Sequence, residues 1–412
     1  MIVRTWHRGG DEGAALIYTV VILVGLLAIA TFVVDFGILV LARRQAQNAA
    51  DAAAYAAAVA LAQDMTGDRS EAGPAMQSAL HFAAQHRVWG EAPSVTAADV
   101  TFPPCPDSTD ACVRVEVHRT QARGNALPTV FGRLAGLTTQ DMRAVATAEV
   151  RPSNISKCIK PWAVPDRWTE QAGSTTTFDK YTTPPGPPAG PLLANPDQYV
   201  APTASSTGTG YRINRDLGSP LVLRQGCSLA ASCGQAQLGG FLPVNFAPGC
   251  PSASFGNAIA GCAMTCDAQP APITVGVNQP LRMLQGVVSS AAGVSALLAL
   301  DPSATYNPVT KKVENSCVGG GGVPYTCAQP GFVESPRIVA IPAYDVNWFE
   351  DHRRPGGVDN LIRVTNILSV FINGMAGVDV ATNIVTKSGP WDPSRGVVTG
   401  GSAFTRTILI VR

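Results

Sequence analysis

The strongest constraint on this chain lies near its start. Ala14 to Val34 is a long run without a charge, followed by Asp35, Arg43, Arg44 and an alanine tract from Ala46 to Ala62. As a helix such a run rises roughly 30 Å, the thickness of a hydrocarbon core. The chain is therefore expected to be tethered to a membrane, with everything after the run as its cargo. Most of the tract is alanine, the strongest helix former, and no Gly or Pro interrupts Gln45 to Gln63. Span and tract are expected as one rod of about 50 residues, on the order of 75 Å long. Two readings of the tract stay open: a stalk that holds the cargo clear of the bilayer, or a small-residue face on which another helix packs closely.

A cleaved secretory signal is the first rival, because Arg4 and Arg8 precede the run and Ala28-Ile29-Ala30 imitates a small-residue cleavage site. Apolar residues continue past Ala30 to Val34 and resume at Phe36, which favours an uncleaved anchor. A buried soluble helix is the second rival, but so long a run without a charge is unusual for one. Arginines flank the run on both sides, so the positive-inside rule does not set its orientation.

The cysteines set it instead. All ten (Cys105, Cys112, Cys158, Cys227, Cys233, Cys250, Cys262, Cys266, Cys317 and Cys327) follow the apolar run. An even number confined to one side suits disulfides in an oxidising compartment, which puts the short N-terminal tail in the cytoplasm. Their spacings match no zinc ribbon or finger, and no paired histidines stand beside them. Cys105 and Cys112 form the easiest local pair, because CPDSTDAC reads as a turn between two strands; the connectivity of the others stays open.

Charged residues make up only 14% of the chain, whereas Gly and Pro supply 40 and 32 positions, so the cargo is expected to be rich in loops. A net charge of +1 gives no electrostatic case for nucleic acid.

After the tract, Gly67 to Gly73 breaks the helix and Pro74 can open a short second one. Val95 to Phe102 and Cys112 to His118 read as strands; Val113, Val115 and Val117 alternate with Arg114, Glu116 and His118, the half-buried pattern. Leu127 to Leu134 reads as a helix and Met142 to Val150 as a third strand. This order predicts a small α+β module packed on the base of the rod, ending near Pro152. Beyond Tyr211 the best strand candidates are Leu221 to Leu223, Ile338 to Ile341, Val364 to Ile372, Val378 to Val385 and Thr405 to Val411, with a helix at Val294 to Leu300.

No convincing catalytic constellation is present: no His-Glu-x-x-His, no Gly-x-Ser-x-Gly and no phosphate-binding loop. Gly319 to Gly322 lacks a following Lys-Ser/Thr and reads as a flexible loop. Asp301-x-Ser303-x-Thr305 imitates the hard-oxygen metal loop of von Willebrand A domains, but it follows a helical segment and reads better as a structural turn. Glu350 to Arg354 is a dense polar cluster ending in Pro355-Gly356-Gly357 and reads as a solvated loop. Trp162 and Trp168 read as packing residues at a domain junction. Asn154-Ile155-Ser156 matches a glycosylation acceptor and carries little weight without a eukaryotic context. Neither a metal nor a cofactor is expected.

The series GAALIYTVVILVGLLAIATFVVDFG followed by LARRQAQNAADAAAYAAAVAL resembles the N-terminal segment of the TadE/TadG-like Flp pilus-assembly family. The residues that carry the resemblance are Gly13-Ala14-Ala15, Asp35, Gly37, Arg43-Arg44 and Gln47-Asn48-Ala49-Ala50-Asp51-Ala52-Ala53-Ala54. The stretch from Val113 to Val150, the segment Cys158 to Trp168, and FLPVNFAPGC, GVSALLALDPSATYNP and SPRIVAIPAYDV are similar to TadG-like bodies. The resemblance implies a bitopic inner-membrane protein with a periplasmic or extracellular body. Pilus-assembly or secretion subunits, including TadE-like pseudopilins, are its implied partners. It departs from a prepilin in one respect: the fifth residue after Gly13 is Tyr18, where a processed pseudopilin has Glu.

The expected fold is α+β: a cytoplasmic tail at 1–13, a transmembrane helix at 14–42, an alanine-rich stalk helix at 43–65, a small α+β module at 66–151 and a mainly β, disulfide-containing extracytoplasmic domain at 152–412. Asp35, Arg43, Arg44, Gln47, Asn48 and Asp51 are the candidate membrane and partner contacts. For Asp35 two readings stand side by side, a marker of the headgroup level or a polar contact with another membrane component. The expected function is that of a non-catalytic brace or anchor of a Flp-type pilus or secretion apparatus. The alternatives are a membrane-tethered enzyme or metal-dependent adhesin using Asp301 or the Glu350 loop, and a minor pilin of the fibre.

Overall fold

The computed structural model describes residues 11–63, 68–105, 111–173, 176–182, 190–225, 235–246, 255–261, 274–284, 288–316, 335–352, 361–392 and 394–411. Asp11–Gln63 is one unbroken helix of 53 residues, α1. Among the described residues its apolar half stands clear of the rest, and its alanine half is the core of the first module. Ala46, Ala49, Ala50, Ala53, Ala54, Ala57 and Ala58 are all fully buried. Their spacing, alternating between three and four positions, lines one face of the helix. The alanine tract is thus not a free-standing stalk: the face that small side chains provide is taken up within the chain.

Two layers use that face. The helix Pro74–Gln85, α2, packs beside it through Ala75, Met76, Ala79 and Ala83. Against α1 also packs a sheet that contains Val100–Thr101 (β1), Ala111–Arg119 (β2) and Met142–Pro152 (β5); Leu127–Pro128 (β3) and Thr139–Gln140 (β4) form a separate short hairpin. In β2 and β5 the register pairs Val113 with Ala148, Val115 with Ala146 and Val117 with Ala144. Each pair sets one β-branched side chain beside one methyl group, so the sheet presents a shallow surface to an equally shallow alanine helix. The opposite face carries Arg114, Glu116 and Arg143, with Glu116 ion-paired to both arginines.

Two expectations for this module are corrected. Val95 to Phe102 is not one strand: Thr96 and Asp99 form a capping box that starts the 3-10 turn Ala97–Asp99, leaving only Val100 and Thr101 as strand after it. Leu127 to Leu134 is not a helix. Pro128 holds the residue before it in extended backbone, and Gly132–Ala135 makes one 3-10 turn that ends at Gly136 with a left-handed φ of 81°.

The larger body is mainly β. Ile155–Lys157 (β6) pairs with Thr274–Gly276, whose label β10 follows in chain order after Trp162–Pro165 (β7), Pro220–Gln225 (β8) and Gly240–Asn245 (β9). Further on come Pro280–Met283 (β11), the hairpin Thr305–Asn307 and Lys312–Glu314 (β12, β13), Ile338–Tyr344 (β14), the 16-residue Leu361–Ala376 (β15), Asp379–Val385 (β16) and Lys387–Ser388 (β17). The ladder β15, β14, β7, β9, β8, β16 returns to β15, so six strands close on themselves, with β11 bridging β15 and β9. Closure removes open edges. Trp162, Leu223, Ile341, Leu368 and Phe404 are buried in one core of this unit, and Ile159, Phe178, Tyr344 and Ile362 in a second.

Four helices complete the described body: Ile213–Asp216 (α3), Phe255–Ala260 (α4), Ala291–Leu300 (α5) and Val346–His352 (α6). The pair α4 and α5 meets at Gly293, where a Cβ would lie 2.5 Å from the Gly256 carbonyl oxygen, so only glycine allows the approach. Glu350 is part of α6 and not of a solvated loop. Asp345 caps the helix by accepting a hydrogen bond from the Trp348 N–H at 2.9 Å, and buried Glu350 accepts one from the Ala236 N–H at 3.0 Å. Arg353 and Arg354 lie outside the described residues.

The final strand, Thr405–Val411 (β18), does not join the body's sheet. It pairs antiparallel with β5, setting Ile408 opposite Val150, and in parallel with β17, so the module's sheet runs β1, β2, β5, β18, β17. The fold is α+β with a long apolar N-terminal helix and a strand-rich C-terminal body.

Candidate functional site

The chemistry of the site begins with the division of α1. Leu16, Ile22, Leu27 and Phe32 are each more than half exposed, as is nearly every described apolar side chain between them. The helix is long and apolar enough to cross a membrane, and none of the described residues covers the stretch that would do so. That exposure separates it from the core helix of a soluble domain. From Ala42 onward burial begins, and the exposed apolar surface gives way to a protein-packed face within about two turns of helix.

Asp35 stands at that change. Its carboxylate accepts hydrogen bonds from the backbone N–H groups of Val130 at 2.8 Å, Phe131 at 3.2 Å and Gly132 at 2.6 Å. The donors open the 3-10 turn Gly132–Ala135, whose first N–H groups have no partner within the turn. A carboxylate there satisfies several of them at once. The polar contact that Asp35 makes in the structure is thus with the chain's own loop.

A second candidate, Gln47, also holds the helix to the module. Gln47 donates from Nε2 to the Val145 carbonyl at 3.0 Å and to Asp51 Oδ1 at 2.9 Å. Gln45 does the same on another side, accepting from the Trp89 N–H at 2.8 Å. Arg43, Arg44 and Asn48 are exposed. Arg44, Asn48 and the exposed Tyr55 follow one another along one helix face, opposite the buried alanines. Of the six candidates, Asp35 and Gln47 thus bond to the module, Asp51 is half-buried and bonds Gln47 on the same helix, and the other three lie at the surface.

Among the cysteines, Cys105 and Cys112 form a disulfide with a Cα–Cα distance of 5.3 Å, and Cys158 is disulfide-bonded as well. Cys227, Cys233, Cys250, Cys262, Cys266, Cys317, Cys327 and the glycines 319–322 lie outside the described residues.

The polar clusters of the body serve the fold. Asp301 is buried at the end of α5 and accepts hydrogen bonds from Ser316 and Ser335, while Arg337 donates to its carbonyl at 3.0 Å. Glu170, Asp179 and Asp197 come close together, but Asp197 staples a loop by accepting from the N–H groups of Gln171, Ala172 and Asp179. Asp166 is fully buried among Tyr199, Tyr211 and Thr365. Burial pushes its pKa up to about 6, against hydrogen bonds that favour the ionised form. At Asp99 burial also opposes ionisation, but hydrogen bonds from Arg123 and Thr96 outweigh it and hold the carboxyl well below its usual range. Asn154 is buried and donates to the carbonyls of Asp392 and Arg395, so its amide is used within the fold. Trp162 is fully buried with its Nε1 donating to Ser290 at 3.1 Å, and Trp168 packs edge-on against Phe178, as packing residues do.

With the anchor geometry in place, comparison with known proteins is specific. Residues 13–60 match the family described as "Putative Flp pilus-assembly TadE/G-like". The likeness to that family is confined to this stretch of the chain. The stretch lies wholly within α1 and takes in Asp35, Arg43, Arg44, Gln47, Asn48 and Asp51. No curated protein and no solved structure matches the chain. The TadE/G-like segment supports involvement in pilus assembly, and its helix suggests a single-pass membrane anchor.

What sequence reasoning missed is the partner of Asp35. Pro128, Gly132 and Gly136 mark a turn there, but nothing local links it to a residue 95 positions earlier.

Proposed function

We propose that this protein is a non-catalytic, single-pass component of a Flp/Tad-type pilus assembly or secretion apparatus, which anchors and braces the machine. The observation that carries this reading is the coincidence of the TadE/G-like segment with the two-sided helix α1: apolar and uncovered over its first half, locked into a folded module over its second. A force applied to the body then passes to the bilayer through a continuous helix, with no flexible linker between.

In this proposal residues 1–13 are cytoplasmic, 14–42 span the inner membrane, 43–151 form the anchor module and 152–412 the periplasmic or extracellular body, except that β17 and β18 complete the module's sheet. The Cys105–Cys112 disulfide, in the module next to the span, supports an oxidising compartment on that side. The exposed face at Arg43, Arg44, Asn48 and Tyr55 is the proposed contact for pilus-assembly subunits, TadE-like pseudopilins among them. Tyr18 at the fifth position after Gly13 supports a helix that keeps its N-terminus. The roles of Asp301 and Glu350 in packing count against the enzyme or metal-dependent adhesin.

Crosslinking in cells followed by pull-down of the membrane-extracted protein tests this. Recovery of pilus or secretion subunits is expected, and their absence would overturn the assignment. Mass spectrometry of the mature N-terminus bears on the minor-pilin alternative, because an end at Ala14 would show processing.

A further inference from the structure

We propose that the loop between β3 and β4 is a second membrane-contacting element, which inserts Val130, Phe131 and Leu137 into the bilayer interface beside the anchor helix. Those three apolar side chains are 53%, 38% and 60% exposed. They cluster on one turn, between the short strands Leu127–Pro128 and Thr139–Gln140. Exposed apolar side chains grouped on a loop tip mark a contact surface, whereas scattered ones need no explanation.

The identity of the occupant follows from where the loop is tied. Its N–H groups bind Asp35, and Asp35 is the first residue after the apolar run. A helix entering the hydrocarbon at Ala14 has risen roughly 30 Å by Val34, the full core thickness. The loop is thus fastened to the helix at the level where acyl chains give way to headgroups. Phe32 and Phe36 stack at that level with ring centroids 5.9 Å apart, both exposed. Aromatic rings concentrate at such depths. Arg133 is exposed on the same turn, and Arg43 and Arg44 lie about 12 Å farther along the helix, in reach of phosphates. Apolar tips at the acyl boundary with cations above them are the composition of an interfacial element. The surface is continuous with that of the spanning helix, so lipid that surrounds one wets the other.

Asp35 also gains a reason for its position. A carboxylate at the edge of hydrocarbon is costly when unpaired. Here it is shielded by the loop whose N–H groups it satisfies, and the loop in turn is held with its apolar tip toward the bilayer. The second contact fixes the tilt of the module relative to the membrane, which one helix alone does not.

The inference rests on the membrane reading of α1, and the test separates the two. The full-length protein is placed in nanodiscs of phosphatidylcholine carrying bromines near the headgroup end of the acyl chain, and tryptophan emission is compared with that in unbrominated lipid, subtracting the wild-type signal. Four variants are measured: Phe131→Trp and Leu137→Trp on the loop, Phe32→Trp on the anchor, and Val309→Trp on the body, where the side chain is 89% exposed. The expected result is loss of the added emission for both loop variants and for Phe32→Trp, with Val309→Trp unchanged. Quenching of Phe32→Trp alone would overturn the loop proposal while leaving the anchor intact. No quenching at any of the four would overturn both. Emission from the loop variants that shifts only when pilus-assembly subunits are added would mean a protein occupant and would equally overturn it.

Discussion

The Asp35 carboxylate accepts hydrogen bonds from the backbone N–H groups of Val130 and Gly132 at 2.8 and 2.6 Å, tying the end of the apolar run to a loop far along the chain. A charged acceptor that serves several backbone donors pre-orders the turn that carries them. Asp35→Asn keeps one acceptor oxygen and loses the charge. Hydrogen exchange of the full-length protein in detergent should show faster exchange at the amides of residues 130–132, with the β2–β5 ladder unchanged. Equal protection in both proteins would mean that the contact does not hold the loop.

The alanine face of α1 works by being small. Ala53 is fully buried in the core shared with α2 and the sheet. Ala53→Leu forces a branched side chain into a space that holds a methyl group, so a loss of about 1–3 kcal/mol is expected in denaturant unfolding. Asn48→Leu, on the exposed face, should change stability by less than about 0.5 kcal/mol. If both substitutions were tolerated alike, the tract would be a stalk after all.

Removing the Cys105–Cys112 disulfide should weaken the module. It closes a short loop with a sequence separation of 7, and chain entropy alone assigns about 2 kcal/mol to a loop of that size. The double substitution Cys105→Ala, Cys112→Ala is expected to lower the denaturant midpoint of the module by a corresponding amount. An unchanged midpoint would show that the β1–β2 connection is held by other contacts.

Two buried carboxylates give opposite pH dependences. Burial opposes the ionisation of Asp99, yet Arg123 and Thr96 hold it below its ordinary value of 3.8, so its contribution is present above that pH and is lost as pH falls below it. Arg123→Met should flatten this acid limb. Asp166 is pushed by burial up to about 6, so the folded state holds a proton that the unfolded state releases near 3.8. Its contribution is complete below about pH 4 and is lost as pH rises to about 6, about 3 kcal/mol in all. Asp166→Asn should remove that decline. Unfolding curves from acid to neutral pH read both, and a decline that persisted in Asp166→Asn would place its origin elsewhere.

Much of the fold was legible because it is local. The uncharged run and the alanine periodicity report the period of a helix, the alternation of Val113, Val115 and Val117 reports that of a strand, and α1 and β2 follow them. Misreadings arose where local rules compete. Leu127 to Leu134 has helical composition, but Pro128 and two glycines decide for a turn. Glu350 to Arg354 is polar in sequence, yet Asp345 caps a helix that takes in Glu350 and buries it. What no local pattern could carry is long-range partnership. The return of β18 to β5 pairs Ile408 with Val150 across most of the chain, and the choice of Asp35 for its loop is made by tertiary packing. Which of the candidate residues on α1 bond to the module and which stay at the surface was likewise not visible in the sequence.

The most direct test of the central claim is a photocrosslinker placed at Asn48 in the living cell, with Val309 as the control position. The account predicts ultraviolet-dependent adducts from Asn48 to membrane subunits of a pilus-assembly or secretion machine, and none of these from Val309. Asn48 adducts to lipid alone, or the same products from both positions, would contradict it.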